Sequence, residues 1–298
     1  MPTIRDALLG LEDPLPMRPL ALLIILLSCS LPFATSTRAA CDPARPVPPS
    51  VELAPLDRVL FYGDSLTAGF SRNRHHYATL FEQIAKETYC DFDELVVVAK
   101  GRRGSHYARY DRLVTQVLRE AEEPFSVIMF QDAGKALRLE HPRRPDSPRI
   151  FPNAVLLAIA EANLQAPGAR LILATTPPLD SQSARNRFVR LYERQNDWRD
   201  HNAVTRSIAD SQILSVAPWD TDACYAYNAS TGFVWTDDGV HPNAFGDLLL
   251  GLSMLKTVGF PREDLALDIL SSLDIEITTE DANAIATLVY DAPDTCNP

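Results

Sequence analysis

The sequence has no Gly/Ser-rich linker and no internal period of about 20–50 residues, which excludes a beads-on-a-string or solenoid organisation. One domain is the expectation for its 298 residues. It is short of positive charge. Lys and Arg number 28 against 39 Asp and Glu, a net charge of −11 that repels a nucleic-acid backbone and an anionic membrane surface alike. No CxxC or HxxxH pair offers the close ligand spacing of a zinc site, so neither a metal nor another cofactor is expected. The apolar run 20–27 falls short of the roughly 20 residues that cross a bilayer. What is there, 46% hydrophobic and 22% charged residues, describes an ordinary globular chain with a core to bury.

The first forty residues stand apart. Arg18 precedes the apolar run, and small and polar residues then lead to Thr37-Arg38-Ala39-Ala40, the layout of a secretory signal peptide over 1–40 with a small-residue cleavage site. Met17 is an alternative start, because Asp6, Glu12 and Asp13 are out of place in a signal's first region. Residues 1–40 carry as many basic residues (Arg5, Arg18, Arg38) as acidic ones, so the acidity belongs to the mature domain. The expected location is secreted or periplasmic. An alternative reads Leu26-Leu27-Ser28-Cys29 as a lipoprotein box with Cys29 acylated, the one route to a membrane. The remaining Cys41, Cys90, Cys224 and Cys296 suggest two disulfides in an exported chain, with three connectivities open.

Residues 41–56, with Pro43, Pro46, Pro48, Pro49 and Pro55, read as an extended arm. Short apolar runs at 58–62, 95–98, 125–130, 170–174 and 213–216 then alternate with helical spacing at 77–89, 107–121, 153–164 and 184–211. Continuously apolar strands separated by helices imply a parallel five-stranded sheet buried on both faces, an α/β protein built as a three-layer α/β/α sandwich. A loop to His241 and a helix over 243–255 follow, closing a domain of 57–258. The tail 259–298 carries Thr278 and Asp281 as a capping-box start before 282–288.

In such a sheet the ligand crevice lies at the carboxyl ends of the strands. The first strand runs into Gly63-Asp64-Ser65-Leu66-Thr67, which places a serine hydroxyl at a strand-to-helix turn where backbone N–H groups converge. A serine there serves equally well as a helix cap. Far downstream, Asp237-Asp238-Gly239-Val240-His241-Pro242 returns to the same crevice, and a carboxylate three residues before an imidazole can orient it on a tight turn. Together the two elements supply a nucleophile, a base and an orienter.

Phe61-Tyr62-Gly63-Asp64-Ser65-Leu66-Thr67 and Asp238-Gly239-Val240-His241-Pro242 resemble the first and last blocks of the SGNH or GDSL hydrolases, in the right order and near the two ends of the domain. The resemblance implies a flavodoxin-like sandwich that hydrolyses esters without a metal, with Ser65 as nucleophile, His241 as general base and Asp238 as its orienter. It also implies an oxyanion hole of three donors. The Ser65 backbone N–H is one, and a glycine after the second strand is another, Gly104 fitting the spacing better than Gly101. The third, an asparagine after the third strand, falls on Gln131-Asp132-Ala133-Gly134. Ala133 has no donor and an ionised Asp132 would repel the oxyanion, which leaves the Gln131 amide as the substitute. The α/β-hydrolase elbow Gly-x-Ser-x-Gly is absent, since Thr67 takes its last position.

Two windows beside these blocks hold bases without acids: Arg72, Arg74, His75 and His76, then Lys100, Arg102, Arg103, His106 and Arg109, with Lys135 and Arg138 following the third strand. As a rim, Arg72, Arg102, Arg103, His106 and Lys135 would draw an anionic ester, such as an O-acetylated acidic glycan; as exposed arginines paired with carboxylates they would do nothing of the kind. Phe70, Tyr77, Tyr107 and Trp235 line a pocket or fill the core. In a 2-1-3-4-5 sheet the second and fifth strands are opposite edges, so Cys41–Cys90 and Cys224–Cys296 are the expected bridges. The expected activity is a secreted serine esterase on a small-molecule or glycan ester, with no nucleic-acid partner. The alternatives are a glycan-binding module of little turnover and an acyltransferase using the same residues.

Overall fold

A computed structural model of the chain describes residues 45–46, 56–68, 76–101, 110–131, 147, 150–178, 198–229, 234–236 and 240–296, with only the backbone at 110–113 and 198. Five strands, β1 (Arg58–Gly63), β2 (Val96–Gly101), β3 (Val127–Gln131), β4 (Arg170–Ala174) and β5 (Ser215–Ala217), form one sheet in the order β2-β1-β3-β4-β5. Every pairing is parallel. The described helices are α1 (Tyr77–Thr88), α2 (Tyr110–Arg119), α3 (Phe151–Gln165), α4 (Trp198–Gln212), α5 (Trp219–Ala229), α6 (Ala244–Val258) and α7 (Thr279–Tyr290). This is the three-layer α/β/α sandwich that the alternation implied.

The period-two geometry of strands sorts one continuous apolar run onto two faces. Val59 and Phe61 of β1, Val127 and Met129 of β3, and Ile172 and Ala174 of β4 meet α1, α5, α6 and α7 on one side. Leu60 and Tyr62, Ile128 and Phe130, and Leu171 and Leu173 meet α2, α3 and α4 on the other. All of these side chains are buried, which is why neither face of the central strands needed a polar residue.

The structure departs from the sequence reading in two places. Residues 219–229, expected as loop, form α5. Trp219, Ala223 and Ala226 have helical spacing and enter the core, and the intervening Asp220 and Asp222 meet Arg206 and Lys256. Ile213, read as the start of the fifth strand, is 95% exposed with φ of 56°; it turns the chain out of α4. The tail carries the capped helix expected of it. Thr278 and Asp281 form a reciprocal capping box, and Ile285, Ala286 and Val289 of α7 complete the core over α6.

Cys224 of α5 is bonded to Cys296, with Cα atoms 6.0 Å apart. Cys90 is also in a disulfide, and Cys41 and Cys29 lie outside the described residues, as do the leader 1–40 and most of the arm 41–56. Among the described residues no helix is long and apolar enough to cross a membrane.

Candidate active site

β1 ends at Gly63, and the turn that follows is organised by Asp64. Its Oδ1 accepts from the backbone N–H of Leu66 at 2.8 Å, and its carbonyl accepts from Ala68 N–H at 3.0 Å. Short acceptors such as Asp favour this local arrangement. Leu66 N–H is thereby engaged, whereas among the described residues nothing accepts from the backbone N–H of Ser65. Ser65 itself is half-buried just beyond the carboxyl end of β1.

His241 arrives from the opposite end of the chain. A bridge between Thr236 and Pro242 pairs the residues that flank 237–241. Asn243 then ties the segment down: its N–H donates to Trp235 O at 2.9 Å, its Nδ2 to Val234 O at 2.8 Å, and its Oδ1 caps α6 by accepting from Gly246 N–H at 3.0 Å. A Cβ at Gly246 would sit 2.1 Å from Trp235 O, so the helix can approach this closely only with glycine there. The result is an imidazole two residues ahead of the N-cap of α6, with His241 Nε2 3.2 Å from Ser65 Oγ. A hydroxyl within hydrogen-bond reach of a ring nitrogen is the geometry of a nucleophile and its base.

Gln131, the last residue of β3, lies beneath the turn and is fully buried. Its Oε1 accepts from the backbone N–H of Asp64 at 3.3 Å and from the Thr67 hydroxyl at 3.2 Å. Gly101 ends β2 against the same turn; a Cβ there would meet the backbone N of Ala68 at 2.1 Å. Of the other residues singled out in the sequence, Asp238, Gly104, Arg72, Arg102, Arg103, His106 and Lys135 lie outside the described residues. Phe70 and Tyr107 do too.

Sequence reasoning missed the support that α1 gives the turn. His76, grouped there with a basic rim, is a partly buried N-cap: Nδ1 accepts from Ala78 N–H at 3.2 Å. Nε2 must then carry the proton, and it donates to Leu66 O at 2.8 Å. Burial holds its pKa below the ordinary histidine value, partly offset by the Leu66 bond. Tyr77 is core rather than pocket wall, its ring edge-on to Phe61 and Trp219 and its hydroxyl 3.0 Å from Thr67 Oγ1. A histidine directly before the helical spacing that starts at Tyr77 was the available signal, since it stands at the capping position.

About 70% of the chain aligns with solved structures of known enzymes across nearly their whole length. A protein described as a GDSL-like lipase from Parabacteroides merdae matches with a TM-score of 0.54 at 14% identity, covering 72% of this chain and 100% of that one. The fold is that of the SGNH-type hydrolases. An acetylxylan esterase from Geobacillus stearothermophilus gives 0.52 at 14% identity, over 70% and 97% of the two chains. An alpha/beta hydrolase enzyme from the metagenome of Lake Arreo, Spain, gives the same score and identity over 70% and 98%. No protein-family model and no curated relative matches the sequence.

Proposed function

We propose that the protein is an exported serine ester hydrolase. The observation that carries this reading is the contact of Ser65 Oγ with His241 Nε2 at the carboxyl end of the sheet. Ser65 Oγ attacks the ester carbonyl as His241 Nε2 takes its proton, and the imidazolium returns that proton to the departing alcohol. Water, activated by the same histidine, then cleaves the acyl-enzyme to acid and free serine. Asp238 orients the imidazole. The N–H of Ser65, together with that of Gly104, receives the oxyanion. The acetylxylan esterase of similar fold supports these roles, since its catalytic mutants replace a serine in one structure and an aspartate in another. An acetyl ester on an acidic glycan is the substrate class that best suits the basic windows of the sequence.

The test is acyl release by the mature domain from short and long nitrophenyl esters and from an O-acetylated acidic polysaccharide, beside Ser65→Ala. The variant is expected to lose roughly 10³-fold or more in kcat/KM. A serine-directed phosphonate should label the wild type once and the variant not at all. An unlabelled wild type, equally inert with Ser65→Ala, would leave a crevice that binds glycan without turnover.

A further inference from the structure

Beneath Ser65 runs a chain of buried hydrogen bonds whose direction can be worked out from the donors alone. The amide atom of Gln131 facing the Asp64 N–H is an acceptor, which fixes it as Oε1. Thr67 has one proton, and it goes to that same oxygen at 3.2 Å. Between Thr67 and Tyr77, 3.0 Å apart, the tyrosine is therefore the donor. At its other end Tyr77 is tied to α6, because its backbone N–H donates to Asp247 Oδ1 at 3.3 Å. The chain thus runs from the helix that follows His241, through the first residue of α1, to the end of β3 and the turn that carries Ser65.

We propose that Tyr77 is a positioning residue for the reaction, its hydroxyl fixing the Thr67–Gln131 chain that holds the Ser65 turn against the helix behind His241. This rests on the reading of Ser65 as nucleophile. The link leaves little slack: a Cβ at Gly63 would lie 2.1 Å from Thr67 Oγ1 and 2.6 Å from Gln131 Oε1, so the turn is packed directly on the chain that orders it. Tyr77, Thr67 and Gln131 are all buried, where no water competes for these bonds. The phenol also stays a donor at any working pH, since burial, with the charges of Asp247 and Asp64, pushes its pKa far above the ordinary tyrosine value. Tyr77 does not touch the substrate; it acts through Thr67.

The experiment is a double-mutant cycle on the full chain. Tyr77→Phe keeps the ring in its core contacts and removes only the hydroxyl. It is expected to lower kcat roughly tenfold with KM within about twofold, as expected for a sub-ångström misplacement of the nucleophile. Phosphonate labelling should slow by the same factor, and Tm should change by only a few degrees. Thr67→Val should copy this loss and Thr67→Ser should rescue it. The double variant Tyr77→Phe/Thr67→Val should be no worse than either single one, because both break one chain. A structural role alone would give additive losses of Tm with kcat intact. A labelled, active wild type whose Tyr77→Phe variant keeps kcat within about twofold overturns the positioning role and leaves the hydrolase standing. An unlabelled wild type overturns both.

Discussion

At the carboxyl ends of β1 and β3, buried hydroxyls, one amide and one backbone N–H pass single protons along a line: Tyr77 to Thr67 to Gln131, with Asp64 N–H joining at the end. At the carboxyl ends of β4 and β5, one carboxylate collects everything instead. Asp220 accepts from Arg206 through both oxygens at 2.7 and 2.8 Å, from Thr175 Oγ1 at 2.7 Å and from Asn202 Nδ2 at 3.1 Å. Asn202 also brackets the backbone of Thr176, donating to its carbonyl and accepting from its N–H, both at 2.8 Å. The two halves of the sheet's carboxyl edge are thus held by different means. In a line of single protons, removing one group shifts geometry more than it costs energy. In a hub, removing the centre strands several buried partners at once. The first arrangement should fail in rate before it fails in stability, and the second the other way round.

The largest effect that would break this contrast belongs to the hub. Asp220→Ala should lower the unfolding free energy by about 2–4 kcal/mol, read as a drop in the urea midpoint, while the folded fraction keeps its kcat. A kcat that fell tenfold with the midpoint unmoved would erase the distinction. Arg206→Lys should cost less, about 1–2 kcal/mol, because an ammonium keeps the charge but cannot grip both carboxylate oxygens.

The smallest effect sharpens the other side. His76 has a folded-state pKa below its unfolded value, so the folded chain refuses a proton that the unfolded chain accepts. Its contribution is present above the unfolded histidine pKa and is lost as pH falls through the lowered folded value. His76→Asn supplies another N-cap oxygen and should flatten the fall in stability below about pH 6.5, measured by urea unfolding across a pH series. An unchanged slope would remove His76 from the supports of the turn.

Much of this architecture was legible in the sequence, and for identifiable reasons. The continuous apolar runs of β1, β3 and β4 gave the parallel sheet, because only strands covered on both faces tolerate Val59-Leu60-Phe61-Tyr62 without a polar break. The meeting of Ser65 with His241 was readable because each sits in a short block of turn residues at a predictable end of the sheet. Helix α5 was read as loop: its partners for Asp220 and Asp222, Arg206 and Lys256, stand on other helices, where local spacing gives no sign of them. The same holds for Tyr77. An aromatic residue at helical spacing announces core, and nothing local says that its hydroxyl reaches back ten positions to Thr67. Gln131 was singled out for its amide donors, and nothing local announces that its oxygen also accepts from Asp64 N–H and the Thr67 hydroxyl. Side chains that support a site through long-range proton assignments leave no periodic trace.

Ser65 and His241 are separated by 176 positions, and the groups that hold them come from β1, β3, α1 and α6. Contacts of such separation close late, because loop entropy must be overcome before they form. During refolding from denaturant, helicity should return first and reactivity toward a serine-directed reagent last. The site therefore doubles as a reporter of its own assembly: a chain with a labelled serine has finished folding.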